Sequence, residues 1–114
     1  MRASERWFNG VAVIDLSGTL TGAYPSPLKD AVCRMVRGGE TRIVVNLREV
    51  SYIDSGGLGL LVACYTRASR ADATIVLANP SPRIYELLLV TNLITIFDIF
   101  DSEAEAIASF AVAA

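Results

Sequence analysis

The sequence contains no histidine, only two cysteines and a single lysine, Lys29. Without histidine, Ser-His-Asp and Cys-His catalytic arrangements are impossible. The two cysteines, Cys33 and Cys64, lie far apart in the chain, and no histidine or C-x-x-C motif completes a zinc site with them. We therefore expect no metal site, and we expect both cysteines to be buried, reduced thiols that pack as small hydrophobic side chains.

Long apolar runs and clusters of positive charge are also absent. The longest apolar candidate, Ile84 to Phe97, is interrupted by polar residues and is too short to cross a bilayer. The charged N-terminal segment lacks the apolar stretch that a secretory signal needs. The net charge is −2, and no Lys/Arg cluster offers an electrostatic contact to nucleic acid. These absences predict a cytoplasmic protein without membrane insertion or nucleic-acid binding.

The composition, 53% hydrophobic and 19% charged, predicts a folded chain, and 114 residues suit one domain over positions 1–114. In the first half, Asn9-Gly10 between two apolar segments predicts a β-hairpin. Gly18 to Pro25 is interpreted as a loop. Ser26 and Pro27 then mark the N-cap and first residue of a helix that Gly38-Gly39 ends.

The second half repeats this alternation. Arg42 to Leu47 is a nearly continuous β-branched run, typical of a strand covered on both faces. Apolar residues at helical spacing follow Asp54-Ser55 up to about Arg70. Thr74 to Asn79 is another run typical of a buried strand, and Ser81-Pro82 marks the start of the next helix. The short apolar run Phe97 to Phe100 indicates a final strand. Ser102 with Glu105 forms a capping-box pattern before the last helix.

Together these elements give the order ββαβαβα(β)α. Helices that alternate with strands imply right-handed crossovers between parallel strands. We therefore predict an α/β fold: a mixed, mostly parallel sheet of about four or five strands, an N-terminal antiparallel hairpin at its edge, and about four helices. The exposed hairpin edge also allows a homodimer.

The segment from Ile43 to Val62, IVVNLREVSYIDSGGLGLLV, draws attention to Ser55. A strand, a tight turn and a helix start follow one another almost without a spacer. This layout places Ser55 at the carboxyl end of a strand and at a helix N-terminus, where α/β proteins tend to place functional groups.

Ser55 does not fit a catalytic pattern. A nucleophile elbow, G-x-S-x-G, would need glycine at position 53, which is Ile53. A Ser-Lys pair would need Lys29, which the helical pattern places on a solvent face. Gly57-x-Gly59 resembles part of a dinucleotide loop, but Val62 replaces the third glycine. We therefore expect no enzyme activity and no cofactor.

Two interpretations of Ser55 remain. In the first, its hydroxyl is an ordinary helix N-cap, and Gly56 and Gly57 only permit the turn. In the second, the two glycines leave the hydroxyl open to a modifying enzyme. A phosphate there would be tolerated by the helix dipole, but a partner surface packed on the helix start would meet a desolvated dianion and be expelled. The second interpretation describes a switch on binding rather than on folding.

The residues also resemble a known family. VVNLREVSYIDSGGLGLLVACYTRA is similar to the signature of STAS domains (sulfate transporter and anti-sigma factor antagonist), a strand followed by a D-S-S/G-G-L-G turn and a helix. The continuation LANPSPRIYELLLVTNLITIFDIFDSEAEAI matches the family's S-P-R helix start and F-D-S-x-x-E-A close. The resemblance extends from Val11 to Phe110, and a stand-alone domain of this length resembles a bacterial anti-sigma factor antagonist.

The resemblance implies a function and partners. In such antagonists, the serine after the aspartate is phosphorylated by an anti-sigma factor that is a GHKL-type serine kinase, and a PP2C-type phosphatase reverses the reaction. The unphosphorylated antagonist binds the anti-sigma factor and frees the sigma factor. By position, Ser55 next to Asp54 is the phosphorylation site. Many relatives carry a second serine where Gly56 stands, so Ser55 is the one candidate acceptor.

The other expected partner-binding residues surround Ser55: Thr21, Asp54, Gly56, Gly57 and Leu58. At position 21 the family commonly has an aspartate that helps to engage the kinase, whereas this chain has threonine. That departure favours an alternative role, a non-switching STAS subunit of an ABC-type lipid transporter or of a signalling scaffold.

Overall fold

A computed structural model describes residues 1–111 and contains one five-stranded sheet. The elements follow the chain in this order: β1 (Arg2–Phe8), β2 (Val11–Leu20), α1 (Pro27–Arg37), β3 (Arg42–Ile53), α2 (Ser55–Ser69), β4 (Thr74–Ala78), α3 (Pro82–Val90), a 3₁₀ turn (Leu93–Thr95), β5 (Ile99–Phe100) and α4 (Glu103–Ala108).

The strands lie side by side in sequence order. β1 pairs antiparallel with β2, and every later pair is parallel. The hairpin turn is Asn9-Gly10, and both residues adopt the positive φ angles that a type I′ turn requires, 50° and 80°. The predicted α/β fold with its antiparallel edge is confirmed. Dimerisation through the free edge of β1 stays a prediction.

The two faces of the sheet are covered unequally. Consecutive right-handed crossovers in one direction place α1, α2 and α3 on the same face, where they bury most of the core. The opposite face is covered by α4, whose Ala106 packs in a smaller cluster with Val13, Val44 and Val76. Alternate residues of β2 therefore enter different cores: Ile14 faces the large one and Val13 the small one.

Serine is the N-cap of three helices, as the sequence predicts. The side chains of Ser26, Ser81 and Ser102 each accept a hydrogen bond from the backbone N–H three residues later, at 3.1 to 3.2 Å. Proline follows the first two of these serines at the first helical position, where its missing N–H is not needed.

Three strand boundaries differ from the prediction. β5 begins only at Ile99, so the final strand is shorter than the run Phe97 to Phe100 that indicated it. β2 continues to Leu20, so the loop predicted from Gly18 begins only at Thr21. β3 continues from Leu47 to Ile53 because Ser17 to Leu20 pair in parallel with Glu49 to Ile53. Exposed residues between Arg48 and Tyr52 obscure this extension in the sequence. β4 pairs with β3 only as far as Asn46, so the end of β3 projects beyond β4.

Further expectations concern cysteines, metals and membranes. Cys64 is buried, but Cys33 is partly exposed, so the prediction that both thiols are buried is wrong for Cys33. Within residues 1–111, no group of three or more Cys, Asp or Glu side chains is arranged to hold a metal ion. No helix in the same part of the chain has the length and apolarity to span a membrane.

Candidate functional site

The ends of β2 and β3 position Ser55. The two strands run in parallel to Leu20 and Ile53, and the backbone N–H of Asp54 donates to the Leu20 carbonyl at 3.2 Å. α2 starts at the next residue, Ser55, which is exposed. Ser55 therefore lies at the carboxyl edge of the sheet, beside the loop that leaves β2, as the sequence predicts.

Asp54, and not Ser55, is the N-cap of α2. Asp54 has extended backbone angles, and its Oδ1 accepts a hydrogen bond from the Gly57 N–H at 2.8 Å. Ser55 is already the first helical residue. The interpretation of Ser55 as the cap is therefore wrong. Both residue types are good caps, and the hydrogen bond from Asp54 to β2 determines which one ends the strand.

The two glycines after Ser55 are required by close packing. A Cβ atom at position 57 would lie 2.7 Å from the carbonyl carbon of Leu20, and one at position 56 would lie 2.8 Å from the backbone nitrogen of Gly22. A side chain at position 57 would displace the end of β2, and one at position 56 would displace the loop that follows it. The glycines therefore do more than leave the serine accessible, because they let the strand end and the loop lie directly against the helix start.

The structure brings the predicted site residues together. Thr21 is half-buried, and its Oγ1 accepts a hydrogen bond from the Ala23 N–H at 3.2 Å, so its side chain stabilises the loop whose Gly22 lies against Gly56. Leu58 is half-buried and packs on the main core. Gly57 is fully buried and shapes the surface from beneath rather than presenting a contact.

Ser55 opens onto a groove of about 840 Å³ between the end of β3, the start of α2 and the length of α3. Its walls are largely apolar, and two of its hydrophobic residues are well exposed, Tyr52 at 53% and Val90 at 71%. Its charged lining groups are the carboxylates of Asp54 and Glu86 and the guanidinium of Arg83. An apolar groove with few charges is typical of a protein-binding surface.

Sequence reasoning missed Gly22, Arg83 and the groove itself. The S-P-R helix start marks Arg83 as an early residue of α3, but it does not indicate that α3 lies beside Ser55. Gly22 gives no local signal, since a glycine in a loop is common. Each becomes significant only through the element packed against it.

A second polar cluster lies on the opposite face and attaches α4 to the hairpin. Arg6 binds Asp15 through two hydrogen bonds, at 2.6 and 2.9 Å, and also pairs with Glu103 at the start of α4. Asn46 donates to both carboxylates, at 3.1 and 3.2 Å. The Arg6 hydrogen bonds hold the pKa of Asp15 below its usual value. The groups satisfy one another, so we interpret this cluster as structural.

Comparison with known proteins places this geometry in a family. The family model of the STAS domain matches residues 6–106. The anti-sigma-B factor antagonist of Listeria monocytogenes is 36% identical over 86 residues, which cover 73% of this chain and 74% of the relative.

Solved structures share the fold. An anti-sigma factor antagonist from Mycobacterium paratuberculosis superimposes with a TM-score of 0.82 at 20% identity, over 94% of this chain and 91% of that one. The anti-sigma factor antagonist SpoIIAA in its unphosphorylated form gives 0.74 at 22% identity, over 97% and 99% of the two chains. The phosphorylated form of SpoIIAA, from Bacillus, gives 0.72 at 23% identity, over 95% and 98%.

The match of the family model over residues 6–106 and the relationship to the Listeria protein agree with the fold and with the D-S-G-G-L-G turn. STAS antagonists are regulatory proteins and not enzymes. The chain therefore belongs to the STAS domain family and is related within it to the anti-sigma factor antagonists.

Proposed function

We propose that this protein is an anti-sigma factor antagonist switched by phosphorylation of Ser55. In the unphosphorylated state it binds a GHKL-type serine-kinase anti-sigma factor through the Ser55 surface, which comprises Thr21, Asp54, Ser55, Gly56 and Leu58, and the sigma factor is released. The kinase then phosphorylates Ser55 and the complex separates. A PP2C-type phosphatase restores the binding form.

One observation carries the proposal: Ser55 is exposed at the helix start while Asp54 caps the helix. A phosphate on Ser55 would therefore not remove the capping hydrogen bond. It would add about −1.5 to −2 charges beside the positive end of the helix dipole. The fold can therefore tolerate the phosphate. If Ser55 were itself the cap, phosphorylation would disturb the hydrogen bond that starts the helix.

The same charge would oppose binding. A partner that covers the apolar groove and the glycine-lined helix start must remove water from whatever lies between the surfaces. Desolvating a phosphate dianion next to the carboxylate of Asp54 is strongly unfavourable unless the partner supplies a matching cation. The names of the relatives agree with this mechanism, since SpoIIAA is known in both phosphorylated and unphosphorylated forms.

The first test is a pull-down from native lysate with wild-type protein, Ser55→Asp and Ser69→Asp as baits. Ser69 is also exposed and ends α2, about 21 Å along the axis from Ser55, so its variant adds the same charge at a distance. Mass spectrometry should identify a GHKL-type kinase with wild type and Ser69→Asp, and not with Ser55→Asp. Equal capture by all three baits would contradict the switch.

The second test is phosphorylation by the captured kinase. Incubation with ATP should add one phosphate to wild type and none to Ser55→Ala, and a PP2C-type phosphatase should remove it. The alternative role makes a different prediction: permease and ATPase subunits of a lipid transporter would be retained by every bait. This alternative is tested because Thr21 stands where the family commonly has an aspartate that helps to engage the kinase. The Thr21 side chain accepts its hydrogen bond from within its own loop.

A further inference from the structure

We propose that Arg83 binds the phosphoryl group of phosphorylated Ser55 and holds it inside the groove between α2 and α3. This inference rests on the proposed function and adds an intramolecular contact that maintains the released state. The phosphate would thus occupy the surface on which the partner docks, in addition to repelling that partner.

The positions of the two residues carry the first step. Ser55 is the first residue of α2 and Arg83 the second residue of α3, and both line the same groove. Arg83 is exposed, and it takes part in none of the ion pairs found among residues 1–111. Its guanidinium is thus available to a new anion in the groove without breaking an existing pair.

The charges of the groove carry the second step. Its titratable and charged lining groups are Tyr52, Asp54, Arg83 and Glu86. A dianion on Ser55 would be repelled by the carboxylates of Asp54 and Glu86, and Arg83 is the cation among these lining residues. The planar guanidinium can donate two parallel hydrogen bonds to phosphate oxygens, and it carries the positive charge that the other lining residues lack.

A test that does not need the kinase is to install phosphoserine at position 55 during translation, with an expanded genetic code. The titration of the phosphate is then followed by ³¹P NMR in wild type, Arg83→Gln and Arg70→Gln. Arg70 follows the far end of α2, so its variant removes one positive charge without touching the groove. Because a nearby cation favours the dianion, Arg83→Gln should raise the second pKa of the phosphate by roughly half a unit.

Two further measurements, on Arg83→Lys and at raised salt, test whether the charge of Arg83 causes the change in the phosphate pKa. Arg83→Lys should restore part of the shift, since it keeps the charge and loses the planar fork, and raised salt should reduce the difference between wild type and Arg83→Gln. Equal titration of wild type and Arg83→Gln, with matching melting temperatures, would overturn the inference. So would an equal effect of Arg70→Gln, which would indicate only a change in net charge.

The design separates the two proposals. If Arg83→Gln leaves the pKa of the phosphate unchanged, the proposal that phosphorylation of Ser55 releases the partner still stands. If the captured kinase does not phosphorylate Ser55, the proposed function is contradicted. The phosphoserine installed during translation would still show whether Arg83 binds the phosphate.

Discussion

The carbonyl of Leu20 occupies the space that a side chain at Gly57 would need. Leu20 ends β2, and Gly57 lies in the first turn of α2, so this contact sets the distance between the hairpin strand and the helix that carries Ser55. The same Leu20 oxygen accepts a hydrogen bond from Asp54. One backbone group thus connects the strand end, the cap and the buried glycine.

Gly57→Ala is therefore expected to destabilise the protein, because its methyl group would overlap the Leu20 carbonyl. We expect a loss of about 1–3 kcal/mol in the free energy of unfolding, as for overpacking elsewhere. Gly59→Ala is the matched control, since a Cβ at Gly59 meets nothing within 4 Å. It should stabilise the helix by up to about 1 kcal/mol. Urea denaturation of both variants measures the difference, and equal effects would contradict the packing explanation.

Asp54→Ala should destabilise the protein more than Ser55→Ala. Asp54 accepts the capping hydrogen bond from Gly57, and loss of a cap costs about 0.5–2 kcal/mol. Ser55 is exposed and carries no capping bond, so its replacement should change stability by less than about 0.5 kcal/mol. Thermal melting followed by circular dichroism compares the two. A larger loss of stability in Ser55→Ala than in Asp54→Ala would indicate that Ser55, and not Asp54, caps the helix.

The Arg6–Asp15 pair should make stability depend on pH. Arg6 lowers the pKa of Asp15 in the folded protein. The stabilisation is therefore present above the ordinary carboxyl pKa and is lost as the pH falls through the lower, folded value. Asp15→Asn should destabilise by about 0.5–1 kcal/mol at pH 7, since both groups are partly exposed.

The deficit of Asp15→Asn should shrink as the pH falls below about 4. Exposed Asp72, changed to Asn, provides the control, because asparagine tolerates its positive φ of 58°. Denaturation midpoints between pH 2 and pH 7 measure both variants. A deficit that is constant over this range would exclude the charge interaction as its cause.

The two cysteines should differ in reactivity. Burial raises the pKa of the Cys64 thiol to about 12, so little thiolate is present near neutral pH, whereas Cys33 is partly exposed. Iodoacetamide at pH 8 should alkylate Cys33 in the native protein and Cys64 only in urea. Cys33→Ser and Cys64→Ser identify each site by mass spectrometry. Rapid native alkylation of Cys33→Ser would contradict burial of Cys64.

The raised thiol pKa has a further consequence at alkaline pH. The unfolded thiol ionises near pH 9 and the folded one only near 12. The contribution of Cys64 to stability is therefore full below pH 9 and declines as the pH rises toward 12. Cys64→Ala should lack this decline, which denaturation midpoints between pH 8 and pH 11 would detect.

Much of the fold follows from local sequence. Asn9-Gly10 forms the hairpin turn because an Asn-Gly pair readily adopts the positive φ angles of a type I′ turn. Serine followed by proline starts a helix because the serine accepts a hydrogen bond from the first turn and proline fits the first helical position. Such signals act over a few residues, so the order of elements and the antiparallel edge could be predicted. The D-S-G-G-L-G turn likewise indicated the site, because it is contiguous in the chain.

The tertiary structure decided what depends on distant segments. β3 extends to Ile53 because β2 pairs with it, although its own residues are largely polar there. The cap falls on Asp54 because its N–H bonds to Leu20, and Gly57 is required because the same Leu20 carbonyl lies over it. Arg83 lies in the same groove as Ser55 only because α3 forms the wall opposite the start of α2. These relationships join residues remote in sequence, so their effects arise from packing and have no local signal.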